Sequence, residues 1–183
     1  MGYNSRYGAS APSLPGRGFV TDLYYPPMMT STDATLAMTQ NTEYAARFDV
    51  GEPHAFVEIG IEVTAGAASA VVRLGIRQNS STMGCYPGAL LLDAGSVSAV
   101  GTGYSGIVIS QLLTPGRYWV TATLQTATGV SVRARSTDPF IGQTSGGTAN
   151  VGAYSQTGVT GALGASWSAT PAVGVAPKVL LKA

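Results

Sequence analysis

Eight short apolar, β-branched runs lie between residues 35 and 136, and in three of them apolar and polar positions alternate with a period of two. In 35–39, Leu36 and Met38 alternate with polar neighbours, and 43–50 is a second run. In 55–63, Val57, Ile59, Ile61 and Val63 fall on one face; Phe56, Glu58, Gly60 and Glu62 fall on the other. In 70–78, Val72, Leu74 and Ile76 oppose Val71, Arg73, Gly75 and Arg77. Runs at 89–97, 104–113, 117–125 and 130–136 follow. One dry face and one wet face is what a sandwich or barrel strand needs. Turn residues separate the runs, as at Tyr86-Pro87-Gly88 and Thr114-Pro115-Gly116. In the latter, Pro fixes φ at the second turn position and Gly supplies a positive φ at the third. Eight such runs without a helical period predict an all-β fold, an antiparallel β-sandwich that is jelly-roll-like. The predicted core is Val57, Ile59, Ile61, Leu74, Ile76, Leu90, Leu92, Ile107, Ile109, Trp119 and Val132. Tyr118 and Trp119 point to opposite faces, so at least one of them is core.

The flanks read differently. Residues 1–32 are punctuated by Pro and Gly, which excludes a helix. They bury little by themselves, but Tyr3, Tyr7, Tyr24, Tyr25, Pro26 and Pro27 suit docking onto another surface. Residues 1–32 are therefore expected to form an extended N-terminal attachment arm, and 33–183 the sandwich domain. Within that domain, 137–177 is rich in Gly, Ser, Thr and Ala, with Tyr154 and Trp167 as its anchors. Short strands and loops are expected there, closing the sheets or reaching a neighbouring subunit. Residues 178–183 read as a last strand.

Composition narrows the function. Of 183 residues, 45% are apolar and only 10% charged, against about 25% charged in an ordinary soluble domain. So little charge gives free monomers little mutual repulsion, which favours an oligomeric or assembly-bound protein. A net charge of +1 provides no broad basic surface for nucleic acid. No run approaches 18 apolar residues, and the first 20 lack the apolar stretch of a secretory signal, so neither membrane insertion nor secretion is expected. The single Cys85 and single His54 exclude an internal disulfide and a structural zinc site. No cofactor is expected.

Candidate chemistry is sparse. Gly101-x-Gly103-x-x-Gly106 fits the dinucleotide fingerprint literally, but a strand-like run follows it where a helix is required. His54 follows Gly51-Glu52-Pro53 in a turn and reads as a solvated loop residue. Cys85 lacks a second base to activate it. Glu58 and Glu62 share a strand face roughly 13 Å apart, too far for a glycosidase pair. Asp49 with Glu52, or Asp93, could contribute to a Ca²⁺ site, although no EF-hand pattern is present. Arg73 with Arg77, and Arg133 with Arg135, each share a face and are candidates for a basic strip on neighbouring strands. The competing reading is a charged wet face that blocks edge-to-edge aggregation. Tyr86 and Tyr104 are the candidate glycan-stacking aromatics.

Several segments form an ordered series: 59–64 (IGIEVT), 72–76 (VRLGI), 86–90 (YPGAL), 92–95 (LDAG) and 113–119 (LTPGRYW), opened by Tyr24-Tyr25-Pro26-Pro27 and 43–48 (EYAARF). The series resembles a β-sandwich module of minor tail proteins of tailed bacteriophages, notably those of actinobacterial hosts, over residues 24–182. The resemblance implies a non-enzymatic virion protein, in the tail rather than the head. It also implies a homo-oligomer, with a trimer the expected form, bound to other virion proteins and aiding attachment to a host-surface glycan. The alternatives are a head decoration protein that cements capsomers and a carbohydrate-binding receptor module.

Overall fold

The structure is a computed structural model that describes residues 18–28, 33–136, 142–143, 150–151, 153–168 and 172–183. A short β1 (Tyr24–Tyr25) precedes eight strands that follow the eight apolar runs. These are β2 (Asp33–Ala37), β3 (Thr42–Val50), β4 (His54–Ala65), β5 (Val71–Asn79), β6 (Pro87–Ser98), β7 (Gly103–Leu113), β8 (Gly116–Thr126) and β9 (Ser131–Ser136). Six short strands complete the order: β10 (Gly142–Gln143), β11 (Asn150–Val151), β12 (Ala153–Thr157), β13 (Ala172–Val173), β14 (Val175–Pro177) and β15 (Leu180–Lys182).

The eight central strands pair like one long antiparallel hairpin rolled up on itself. β5 pairs with β6, β4 with β7, β3 with β8 and β2 with β9. Two further pairings, β5 with β8 and β4 with β9, join these hairpin pairs into sheets. The result is a front sheet β2-β9-β4-β7 and a back sheet β3-β8-β5-β6, the strand order of a jelly roll. The front sheet gains β15 against β4, β1 against β15, and β14 against β9. The back sheet gains β12 and then β13 beyond β3. β10 and β11 form a separate ladder.

The dry faces meet between the sheets. Phe48, Val72, Leu74, Ile76, Val120 and Leu124 come from the back; Phe56, Ile59, Ile61, Val63, Val132 and Leu181 come from the front. All are buried, and each contributes about 1.5–3 kcal/mol by leaving water.

Several expectations change. Leu90 stands opposite Arg77, on the outer side of the back sheet and apart from the core. Phe56 is buried and Val57 is 46% exposed, because the β4–β7 register shifts between Phe56 and Glu58. Such a shift breaks the in–out alternation that assigned Val57 to the core. Gly116 is not a positive-φ residue; it is the first residue of β8, opposite Val50. The turn before it is closed instead by the Tyr118 hydroxyl, which donates to the Thr114 carbonyl at 3.0 Å. Trp119 is buried, but it lies on the outer face of the back sheet, while Tyr118 belongs to the core between the sheets.

The last change concerns the arm. Its second half is part of the sandwich. Phe19 packs edge-on against Phe56 with ring centroids 5.0 Å apart, β1 pairs with β15, Pro27 is buried, and the Met28 N–H donates to the Arg47 carbonyl at 2.8 Å. Tyr24, Tyr25, Pro26 and Pro27 therefore dock onto their own chain, whereas Tyr3 and Tyr7 lie outside the described residues.

Candidate functional site

The outer face of the front sheet carries the most unusual surface. Tyr104 on β7 lies across the glycines of two strands. A Cβ at Gly60 would run into its ring and hydroxyl, and one at Gly106 would run into the Glu58 carboxylate. Glycine in a strand interior often marks such a close approach. The Tyr104 hydroxyl donates to Glu58 Oε1 at 2.7 Å, and the Tyr24 hydroxyl to Oε2 at 3.4 Å. The two rings meet edge to face at 5.2 Å. Lys182 places its ammonium 5.8 Å from the Tyr24 ring centroid and pairs with Asp22 at 3.0 Å. Burial pushes the Tyr104 phenol pKa well up, and the hydrogen bond to Glu58 pushes it further. At neutral pH, Tyr104 is a fixed hydrogen-bond donor with one ring face outward.

Beside this cluster the surface is apolar. Val108 is 85% exposed, Leu112 60% and Tyr104 44%, with Val57 next to them on β4. β7 carries no charged residue over its whole length. The far half of the same sheet is charged and paired off. Arg133 binds Glu62 at 2.9 Å, and Asp33 takes both Arg135 at 2.9 Å and Lys178 at 3.1 Å. Arg135 and Lys178 hold the Asp33 carboxyl below the usual carboxylate range, and Arg133 does the same for Glu62.

The back sheet's outer face is roofed by residues 158–168. Leu163 sits on Gly75, where a Cβ would displace it, and the Leu163 N–H donates to Asp93 Oδ2 at 3.1 Å. Leu90 N–H donates to the Ala165 carbonyl at 2.9 Å, and Val159 N–H to the Asn41 carbonyl at 3.0 Å. Under this roof Arg77 and Glu43 form a fully buried two-pronged ion pair, Nε–Oε1 2.8 Å and Nη2–Oε2 2.9 Å. Gln156 donates to Glu43 Oε2 at 2.6 Å and accepts from the Ser168 N–H at 2.9 Å. Trp167 covers the guanidinium, 5.2 Å from ring centroid to Arg77 Cζ. Arg73 pairs with Asp93 at 2.7 Å. Burial pushes the Asp93 carboxyl up, but Arg73 and the N–H groups of Leu163 and Gly95 outweigh it and leave the pKa lowered.

The four arginines of the expected basic strip do not come together. Arg73 and Arg77 are on β5 in the back sheet; Arg133 and Arg135 are on β9 in the front sheet. Each holds a carboxylate, so none offers free charge to an anionic ligand. Of the two stacking candidates, Tyr104 is exposed and Tyr86 is not. Tyr86 is 8% exposed and its ring packs against Tyr154 at 4.6 Å, so no face remains for a sugar. His54 opens β4 and is ringed by Phe19 and Phe56 at 5.2 and 5.3 Å. Among the described residues, no three His, Cys, Asp or Glu side chains cluster as metal ligands. Asp49 is taken by Arg47 and Arg117.

Sequence reasoning missed the Tyr24–Glu58–Tyr104 cluster and the Arg77–Glu43–Gln156 network. The first had a signal, since Gly60 and Gly106 stand at wet-face positions inside strands. The second had none, because Glu43 and Gln156 are 113 residues apart. Comparison of the chain with family models, curated proteins and solved structures finds no match.

Proposed function

We propose that this protein is a non-enzymatic structural component of a tailed-phage virion, a minor tail or tail-tip protein that works by association. The observation that carries the proposal is the half-sheet around Val57, Val108 and Leu112, where large apolar side chains stand exposed beside the single carboxylate of Glu58 and β7 brings no charge. Surfaces of this kind mark association sites. The segments of the tail-module resemblance also support it, because they are the fold-bearing elements. They supply β4, β5, the start of β6 and the β7–β8 turn. Jelly rolls recur in viral capsid and lectin domains, a fold-level analogy in keeping with this reading.

Antibody labelling of intact particles tests the proposal. Label at the tail end is the expected result. Label over the head makes the protein a capsomer-cementing decoration instead, and unlabelled particles overturn the virion reading.

One observation favours a second reading, attachment to a host-surface glycan. Tyr24 and Tyr104 present exposed rings around a carboxylate, an arrangement suited to stacking a sugar and holding its hydroxyls. Replacing both tyrosines with Ala then abolishes binding to host cell-wall polysaccharide in titration calorimetry; undiminished binding rejects the reading.

A further inference from the structure

Strand edges are templates for pairing, and proteins blunt them with short length, charge, Pro or bulges. Most edges here are blunted. β13 and β1 have two residues each, and β2 has five and carries Asp33. β6 is long, but it begins at Pro87, carries Asp93, and its ladder with β5 is interrupted at three places. β7 has eleven residues, no Pro and no charge. Its ladder with β4 shifts register only once, between Val108 and Gln111, with the in–out alternation of its side chains kept throughout. One side of it pairs with β4, and among the described residues nothing pairs with the other.

We infer that the free edge of β7 pairs antiparallel with β7 of a second copy, about a twofold axis through Val108. The register follows from the side chains. Val108 is the midpoint of Gly103–Leu113, so this axis overlaps all eleven residues of both strands. It sets Val108 against its own copy, Tyr104 against Leu112 and Gly106 against Ser110 on the outer face. On the inner face it sets Ile107 against Ile109 and Ser105 against Gln111. Apolar groups meet apolar groups and polar groups meet polar groups, the pairing that stabilises a sheet. Moving the axis by one residue destroys the match. Centred on Ile107 it opposes Tyr104 to Ser110 and Ser105 to Ile109; centred on Ile109 it opposes Ile107 to Gln111. The surface is self-complementary, as an isologous dimer requires. The strand itself carries no charge to set against its copy. The inference stands apart from the virion reading, since it concerns the purified chain alone.

Light scattering coupled to gel filtration of the full chain tests it. The wild type is expected at twice the chain mass. Val108→Lys places two ammonium groups face to face and is expected to lose the dimer, giving a monomer with unchanged circular dichroism. Register is read by oxidation in a Cys85→Ala background. Directly opposed residues lie about 4.5–5.5 Å apart at Cα, within disulfide range, so Val108→Cys cross-links. Val57→Cys, three strand spacings or about 14 Å across and further offset along the strands from its copy, does not. A monomeric wild type overturns the inference, leaving the edge to a strand of another protein. So does a trimer, a dimer that survives Val108→Lys, or cross-linking of Val57→Cys as fast as Val108→Cys.

Discussion

The two outer faces of this jelly roll meet water in opposite ways. The back sheet buries an arginine and a glutamate there and covers them with its own residues 158–168. The front sheet leaves Val57, Val108 and Leu112 bare beside two exposed tyrosines. Burying charge is costly unless every lone pair and donor is met. The Arg77–Glu43 pair approaches that condition within one chain: Gln156 donates to Glu43, the Gly88 carbonyl accepts from Arg77, and Trp167 lies over the guanidinium. Thr121 Oγ1, Thr123 Oγ1 and Trp167 Nε1 stay buried without a partner among the described residues. Exposed apolar groups carry no such demand and tolerate being left for another surface. The back face thus belongs to the stability of the chain, and the front face to its association.

Breaking the buried pair has the largest effect. Glu43→Gln leaves Arg77 without its counter-charge and is expected to cost about 3–5 kcal/mol in denaturant unfolding. Adding Arg77→Met to it recovers part of that loss, because no buried charge then remains. Adding one methyl group to each face sharpens the contrast. Gly75→Ala drives a Cβ into Leu163 and to 2.8 Å from the Leu92 carbonyl. It is expected to lower stability by about 1–3 kcal/mol and to loosen the roof, read as faster proteolysis within 158–168. Gly60→Ala meets only the far end of Tyr104, a side chain with open water to move into. It is expected to cost less than about 1 kcal/mol while changing Tyr104 fluorescence and any glycan binding.

Acid has a graded effect. Asp33, Glu62 and Asp93 have lowered pKa values in the folded protein, so the unfolded chain binds more protons as pH falls. Their stabilisation is complete above the ordinary carboxylate range near pH 4 and is lost as pH drops through the lowered folded values. The melting temperature is expected to be flat from pH 7 to 5 and to fall below pH 4. In Arg73→Met, where Asp93 loses its main partner, that fall is expected to be shallower. The smallest effect is that of Val108→Lys on chain stability, within about 0.5 kcal/mol once the monomer is compared, because the side chain touches little of its own fold.

Much of the architecture was legible in the chain. Eight apolar runs, three of them alternating with a period of two, marked the eight central strands, and the turn signals separated them. Alternation misplaced Val57, because a register shift between paired strands leaves no trace in local pattern. It also put Trp119 in the core between the sheets. Buried and inward are the same thing only where the outer face is wet, and here 158–168 keeps it dry. The arm was drawn too long because Phe19 and β1 are anchored by Phe56 and the chain's last strand, contacts that sequence distance conceals. Tyr104 was legible as an exposed aromatic. Glu58 and Tyr24 were not, since only the fold brings three separate segments to one carboxylate.

Amide hydrogen exchange, compared between the wild type and Val108→Lys, reads both faces in one experiment. Faster exchange in the variant is expected only at alternate residues of β7, whose free-edge N–H groups lose their partner, with β3, β8 and β12 unchanged beneath their roof. Equal exchange of β7 in the two proteins would contradict that expectation, as would loosening that spreads across the back sheet.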